Sequence, residues 1–96
     1  AFASPASLQV AGATPDRAAA ALAQVQAFLD QAGRDWYAYG DGELARVNAA
    51  LAQGGTATLS PGLAAVVGRS LALAAASDGR FDPAIGDLVS LWGFDR

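Results

Sequence analysis

Ser77–Phe94 reads SDGRFDPAIGDLVSLWGF, and the rest of the chain is organised around it. Ser77-Asp78-Gly79 carries the chemistry of a helix end, because glycine accepts the left-handed backbone found there at no steric cost. Asp82-Pro83 follows, and the proline ring biases Asp82 away from helical geometry. The chain must therefore turn between Gly79 and Pro83. A last apolar segment runs from Ile85 to Trp92 and stops at Gly93. It reads as a short C-terminal helix.

Moving outward, Ser60-Pro61 gives a helix start, with a serine cap and proline at the first helical position. Leu63, Val66, Val67, Leu71 and Ala74 then recur on one face, so this helix reaches Ser77. Asp41 is placed to cap a shorter helix running through Ala52, with Leu44, Val47 and Leu51 as its apolar face. Thr14-Pro15-Asp16 opens a longer helix with a cap, a proline and a first-turn acid. Its face is Leu22, Val25 and Leu29, and Gly33 suits its stop after Ala32. Ser7–Val10 alternates weakly and reads as a short strand, and Thr56–Leu59 as a short extended piece. The expectation is three to four helices with one or two short strands. Such strands form no stable sheet alone, so they call for partners from outside these residues.

The chain has 96 residues, which is one small domain or part of one. Net charge is −3, and the six basic residues are scattered arginines. No basic stripe exists to follow a phosphate backbone, so nucleic acid is not an expected partner. There is no cysteine and no histidine, which removes thiolate chemistry and the commonest general base. No apolar run reaches the roughly 18–20 residues of a membrane span. Ala1–Val10 has neither the charged nor the apolar part of a signal peptide, as expected of a processed or truncated chain.

Two stretches carry a family resemblance. Ser77–Phe94 resembles the T-G-G-x-F-D-P-T-V-G-P-L-V-x-L-W-G-F block of the FAD:protein FMN transferases, the ApbE family. Gly42–Asn48, GELARVN, resembles that family's S-E-L-S-R-F-N. Leu59-Ser60-Pro61 and the following helix fit the pattern between the blocks. Phe2-Ala3-Ser4 sits where the family has M-G-T. The sequence departs from the pattern at Gly42 for serine, Asp78 for glycine, Ala84 for threonine and Asp87 for proline. The resemblance implies a mixed α/β (α+β) domain related to the T-fold, of which residues 1–96 would be an incomplete N-terminal portion.

It also implies an activity. Such an enzyme binds FAD with Mg²⁺, splits the pyrophosphate and places FMN on a threonine or serine hydroxyl of an acceptor flavoprotein. The family's metal and catalytic motifs, D-L-G-G with alanine-lysine-glycine and the later D-P-x-T-G, do not occur here. The Mg²⁺ ligands are thus expected outside this chain, and the chain alone is expected to be inactive. By the same resemblance the FAD-contacting residues are Arg80, Phe81 and Asp82 at the glycine-x-phenylalanine-aspartate corner, Asn48 in the second helix, Tyr39 before it, and Phe2. Localisation at the bacterial cell envelope or periplasm follows from the resemblance alone.

The residues also admit plainer readings. Asp82-Pro83 is turn chemistry, and Phe81 can be a core anchor. Asn48 can be a helix-end asparagine. Trp36, Trp92 and Phe94 read first as packing residues. Glu43 and Arg46 read as a pair on a solvated helix face. Asp78, Asp82 and Asp87 could share a neighbourhood fit for a cation, although their spacing does not demand it. Alternatives to the transferase are a flavin-binding or FAD-pyrophosphatase module of the same fold, and a small helical interaction domain. The apolar C-terminal segment has too few partners in the sequence, so Ile85, Leu88 and Trp92 are expected on an exposed patch.

Overall fold

The computed structural model describes residues 4–94. Four helices follow one another: α1 (Pro15–Asp35), α2 (Glu43–Ala52), α3 (Pro61–Ala76) and α4 (Gly86–Leu91). No strand occurs among the described residues. The mixed α/β class with short strands is therefore corrected to a helical chain. Ser7–Val10 and Thr56–Leu59 are irregular. Their alternation is a side-chain pattern, whereas a strand also needs a neighbour to take its backbone N–H and C=O groups. The described residues offer none, and Leu8 and Val10 are half exposed.

α1 begins as the sequence directs. Thr14 is extended, Pro15 occupies the first turn and Asp16 sits near the positive end of the helix dipole. The threonine side chain makes no capping bond. The helix passes through Gly33 and ends at Asp35, with the Trp36 N–H bonded to the Ala32 carbonyl at 2.9 Å. A glycine inside a helix costs about 0.5–1 kcal/mol relative to alanine. Contact with α2 outweighs this here, because Ala32, 3% exposed, lies in the last turns of α1.

α2, α3 and α4 share one way of ending. After each, the N–H groups of two successive residues bond back to the last turn. In α3 the Gly79 N–H reaches the Ala74 carbonyl at 2.9 Å and the Asp78 N–H reaches Ala75 at 3.2 Å. Gly55 and Gly54 do the same for α2, and Phe94 and Gly93 for α4. This double closure needs a left-handed residue just past the helix. Gly54 and Gly93 supply it for two helices, and Asp78, at φ 51°, for the third. Aspartate is among the few non-glycine residues that tolerate that region.

α1 and α2 are the helices in closest contact. Gly42, the residue that opens α2, is buried. A Cβ added there would overlap the Arg34 carbonyl and stand 2.8 Å from Asp35 Cα. Trp36 meets Phe28 edge to face at 5.8 Å and lies over Gly62 in the first turn of α3. Leu63, 2% exposed, is the most deeply buried side chain.

Beyond that junction the chain is open. Its radius of gyration is 16.6 Å, with extents of 51 × 31 × 28 Å, against about 12.5 Å for a folded domain of this length. It exposes 7569 Å², where a folded monomer of this mass exposes about 5,100 Å². The C-terminal segment meets the expectation of exposure: Ile85, Leu88 and Trp92 are 47%, 42% and 64% exposed. Trp92 and Phe94 stack edge to face on each other at 5.9 Å. Apart from each other, neither finds cover among the described residues.

Two glycines give opposite expectations. Gly42→Ala should destabilise the protein by about 1–3 kcal/mol, the usual cost of forcing atoms into a packed contact. Gly33→Ala meets nothing within 4 Å and should stabilise by about 0.5–1 kcal/mol. Melting curves of both variants check the pair; shifts of the same sign would contradict the α1–α2 contact.

Candidate functional site

The site is built from the first turns of α2 and α3. Glu43 opens α2 and Ser60 caps α3. The Ser60 backbone N–H donates to Glu43 Oε1 at 2.6 Å, and the Ser60 hydroxyl donates to Glu43 Oε2 at 2.7 Å. That hydroxyl also accepts from the Leu63 N–H at 3.4 Å, capping α3. Both carboxylate oxygens are therefore engaged by a residue 17 positions away. The reading of Glu43 as part of a solvated pair is corrected: it is half-buried and bridges two helices. Arg46 instead donates to the Asp41 carbonyl at 2.7 Å, although its charge still favours ionised Glu43.

These contacts hold the Glu43 pKa below its ordinary value. The Ser60 backbone N–H contributes most, then the Ser60 hydroxyl, with partial burial opposing and the Arg46 guanidinium adding a smaller attraction.

The clamp joins α2 to α3, and an apolar groove of about 530 Å³ lies between them. Binding clefts for small molecules span roughly 300–1,000 Å³. Leu44, Val47 and Leu51 come from α2, and Leu63, Val66, Val67 and Leu71 from α3. Trp36, Ala57, Leu59, Pro83 and Ala84 complete the lining, with Asn48 and Ser70 as polar groups. Such a groove suits a flat ring system with a polar edge, since its walls are aliphatic and aromatic and its amide can both donate and accept.

Pro83 and Ala84 reach the groove through the turn that follows α3. Ser77 fixes the start of that turn: its hydroxyl donates to the Ala74 carbonyl at 3.1 Å and accepts from the Phe81 N–H at 3.0 Å. Asp82 fixes the end, its Oδ1 accepting from the Ala84 N–H at 2.8 Å across Pro83. This is the side-chain-closed turn typical of aspartate. Turn formation thus uses the Oδ1 oxygen of the Asp82 carboxylate.

The expected site residues divide. Asn48 and the Asp82-Pro83-Ala84 turn meet at the groove. Arg80 and Phe81 are exposed and do not line it. Tyr39 is 40% exposed and packs edge to face on Tyr37 at 5.8 Å, away from the groove. Phe2 lies outside the described residues. No group of three His, Cys, Asp or Glu side chains able to hold a metal ion occurs among the described residues, so Asp78, Asp82 and Asp87 do not form a cation site. Among the described residues no helix is long and apolar enough to cross a membrane. The Glu43–Ser60 clamp has no local signature in the sequence. Its one signal is Ser60's cap position, which explains the bond to Leu63 but not the one to Glu43.

The groove therefore lies where the chain's two most distinctive stretches, Gly42–Asn48 and Ser77–Phe94, come together. The model of the ApbE family matches residues 2–96, and the chain belongs to that family. A FAD:protein FMN transferase from Rhodobacter capsulatus is 45% identical over 74 residues, which are 77% of this chain and 14% of that protein. The chain thus spans about one seventh of that relative's length. No solved structure matches the chain.

The clamp has a pH signature. The folded pKa of Glu43 lies below its unfolded value, so through that window the unfolded chain binds more protons and stability rises with pH. The contribution is complete above the ordinary carboxylate range and is lost as pH falls through the folded pKa. Melting temperatures of the parent protein and of Glu43→Gln should differ at neutral pH and converge toward the acid end. A gap that stays constant would show that ionised Glu43 does not hold Ser60.

Proposed function

We propose that this chain forms the N-terminal part of a Mg²⁺-dependent FAD:protein FMN transferase and that the groove between α2 and α3 takes one of FAD's ring systems. One observation carries this reading: the groove joins the two family-like blocks, with Asn48 from one and the Asp82-Pro83-Ala84 turn from the other. The apolar walls would cover a ring face, Asn48 would pair with a ring edge, and Asp82 Oδ2 would accept from a ribose or flavin group.

In the proposed reaction, the oxygen of an acceptor threonine or serine bonds to the phosphorus of the FMN half of FAD. The pyrophosphate bond to the AMP half breaks, AMP leaves and the hydroxyl proton is released. The residues of this chain bind and orient the flavin nucleotide. Mg²⁺ dependence belongs to this reading, with ligands supplied from beyond these 96 residues. Action at the bacterial cell envelope on an exported acceptor belongs to it as well. The remainder of the domain would cover the apolar faces of α1 and α4. The surface in excess of a folded monomer's favours this over a self-standing helical interaction domain.

Three substitutions in the full-length protein test the site. Asp82→Ala removes both the turn bond and the free acceptor; an unpaired ligand donor costs about 1–3 kcal/mol, or roughly a five- to 150-fold loss of FAD affinity. Asp82→Asn keeps an oxygen for the Ala84 N–H, so it should melt near the parent temperature while still losing FAD affinity. Asn48→Ala should weaken FAD binding by a comparable factor. Titration of FAD with melting curves alongside reads all three. If Asp82→Ala melts early but both Asp82 variants bind FAD as the parent does, Asp82 is a turn former only.

The 96-residue chain by itself should not transfer FMN. Incubation with FAD, Mg²⁺ and an acceptor protein, followed by in-gel flavin fluorescence, should show no labelled acceptor. Labelling by the isolated chain would place the chemistry within it and overturn this assignment.

A further inference from the structure

We infer that Glu43 and Ser60 act together as a positioning pair that sets the width of the α2–α3 groove and the place of Asn48 within it. The inference rests on the reading of that groove as a flavin site. Neither residue lines the groove, so neither is assigned a contact with the ligand.

The geometry is specific to a carboxylate facing a serine. Glu43 uses one oxygen for the Ser60 N–H and the other for the Ser60 hydroxyl. The hydroxyl has one proton, which it gives to Glu43, and a lone pair, which it offers to the Leu63 N–H. Glutamine at position 43 could satisfy the backbone N–H but would present an N–H to the hydroxyl. Ser60 would then have to accept from both position 43 and Leu63, and its own proton would lose its acceptor. The carboxylate is thus matched to the serine in polarity as well as in reach.

The clamp also has leverage. Glu43 begins the helix that carries Leu44, Val47, Asn48 and Leu51, one wall of the groove. Ser60 begins the helix that carries the opposite wall, starting at buried Leu63. Charges facing the clamp come from two elements: Asp35 at the end of α1 lines the adjoining clefts with Glu43, and Arg46 lines one of them from α2. Of these, the Arg46 guanidinium favours the ionised carboxylate. α3 brings no charged side chain to these clefts.

The test uses the full-length protein and FAD as the probe, with dissociation constants from flavin fluorescence and melting curves in parallel. Glu43→Gln and Ser60→Ala should each weaken FAD binding by about two- to thirtyfold, the range of effects transmitted through a supporting contact. The double variant should lose no more than the worse single one, because both remove the same bond. Ser60→Thr keeps the hydroxyl and should retain most of the affinity, which guards against a general folding defect. Asn48→Ala and Leu71→Trp, which alter or fill the groove, report separately on the flavin reading. If these two weaken FAD binding while Glu43→Gln and Ser60→Ala do not, the positioning role is overturned and the flavin site stands. If the clamp variants lose affinity additively, the two residues do not act as a pair and the inference fails. If Asn48→Ala and Leu71→Trp both bind FAD as the parent does, the flavin reading fails and the inference falls with it.

Discussion

The double hydrogen bond between Glu43 and Ser60 is the constraint on which the arrangement of helices depends. Most side-chain hydrogen bonds in this chain are local, closing turns or spanning one helical turn. The clamp instead ties residues 17 apart and sets one helix start against another. It acts beside two apolar contacts, the seat of Gly42 on the end of α1 and the placement of Trp36 over Gly62. Hydrophobic burial usually dominates such junctions. Here the core among the described residues is Ala32 and Leu63, so the charge-assisted bond stands where burial is sparse. Charge-assisted bonds are roughly twice as strong as neutral ones, which suits them to a junction with little core.

The shortage of core has a clear distribution. At the junction of α1, α2 and α3, side chains are buried or half-buried. Phe28 at its edge and, away from it, Leu51, Leu71, Leu73, Leu91 and Phe94 each keep half or more of their surface exposed. An apolar surface of that kind is expected where further structure packs against it, because contiguous exposed patches are rare on self-contained monomers. The groove belongs to this picture. Its walls continue into uncovered apolar faces, so a flavin ring lying between α2 and α3 would be enclosed partly by this chain and partly by what covers it.

The sequence was most legible where the physics is local. Ser60-Pro61 starts α3 through both its cap and its proline, and Thr14-Pro15 starts α1 through its proline alone. The end of α3 falls at Ser77 and that of α4 before Gly93, since left-handed closure leaves a mark in Gly and Asp. The turn at Asp82-Pro83 was legible for the same reason. Three features were not. Gly33 reads as a stop but lies inside α1, because contact with α2 outweighs its propensity. Ser7–Val10 and Thr56–Leu59 read as strands by alternation, yet pairing depends on a neighbour that no local pattern can supply. Glu43 reads as solvated because its partner is far along the chain. At the site, the family resemblance named Asn48 and Asp82 as flavin-contacting residues without linking them, and no spacing rule joins positions 48 and 82. Arg80, Phe81 and Tyr39 were named by that resemblance as well, and the groove does not include them.

The departures from the family blocks are themselves structured. Where the family pattern has glycine, Asp78 adopts the left-handed backbone that the end of α3 needs, so the substitution keeps the geometry with a residue that tolerates it. Where the pattern has serine, Gly42 lies against the Arg34 carbonyl with no room for a Cβ. A serine there would require the end of α1 to stand farther from α2. α1 reaches that position because it continues through Gly33 to Asp35. The two features therefore belong together: the extra turn of α1 and the missing side chain at the start of α2 are one packing solution. That solution sets Glu43 directly beside the α1–α2 contact, so the clamp to Ser60 inherits its position from a glycine that the local pattern alone would mark as a defect.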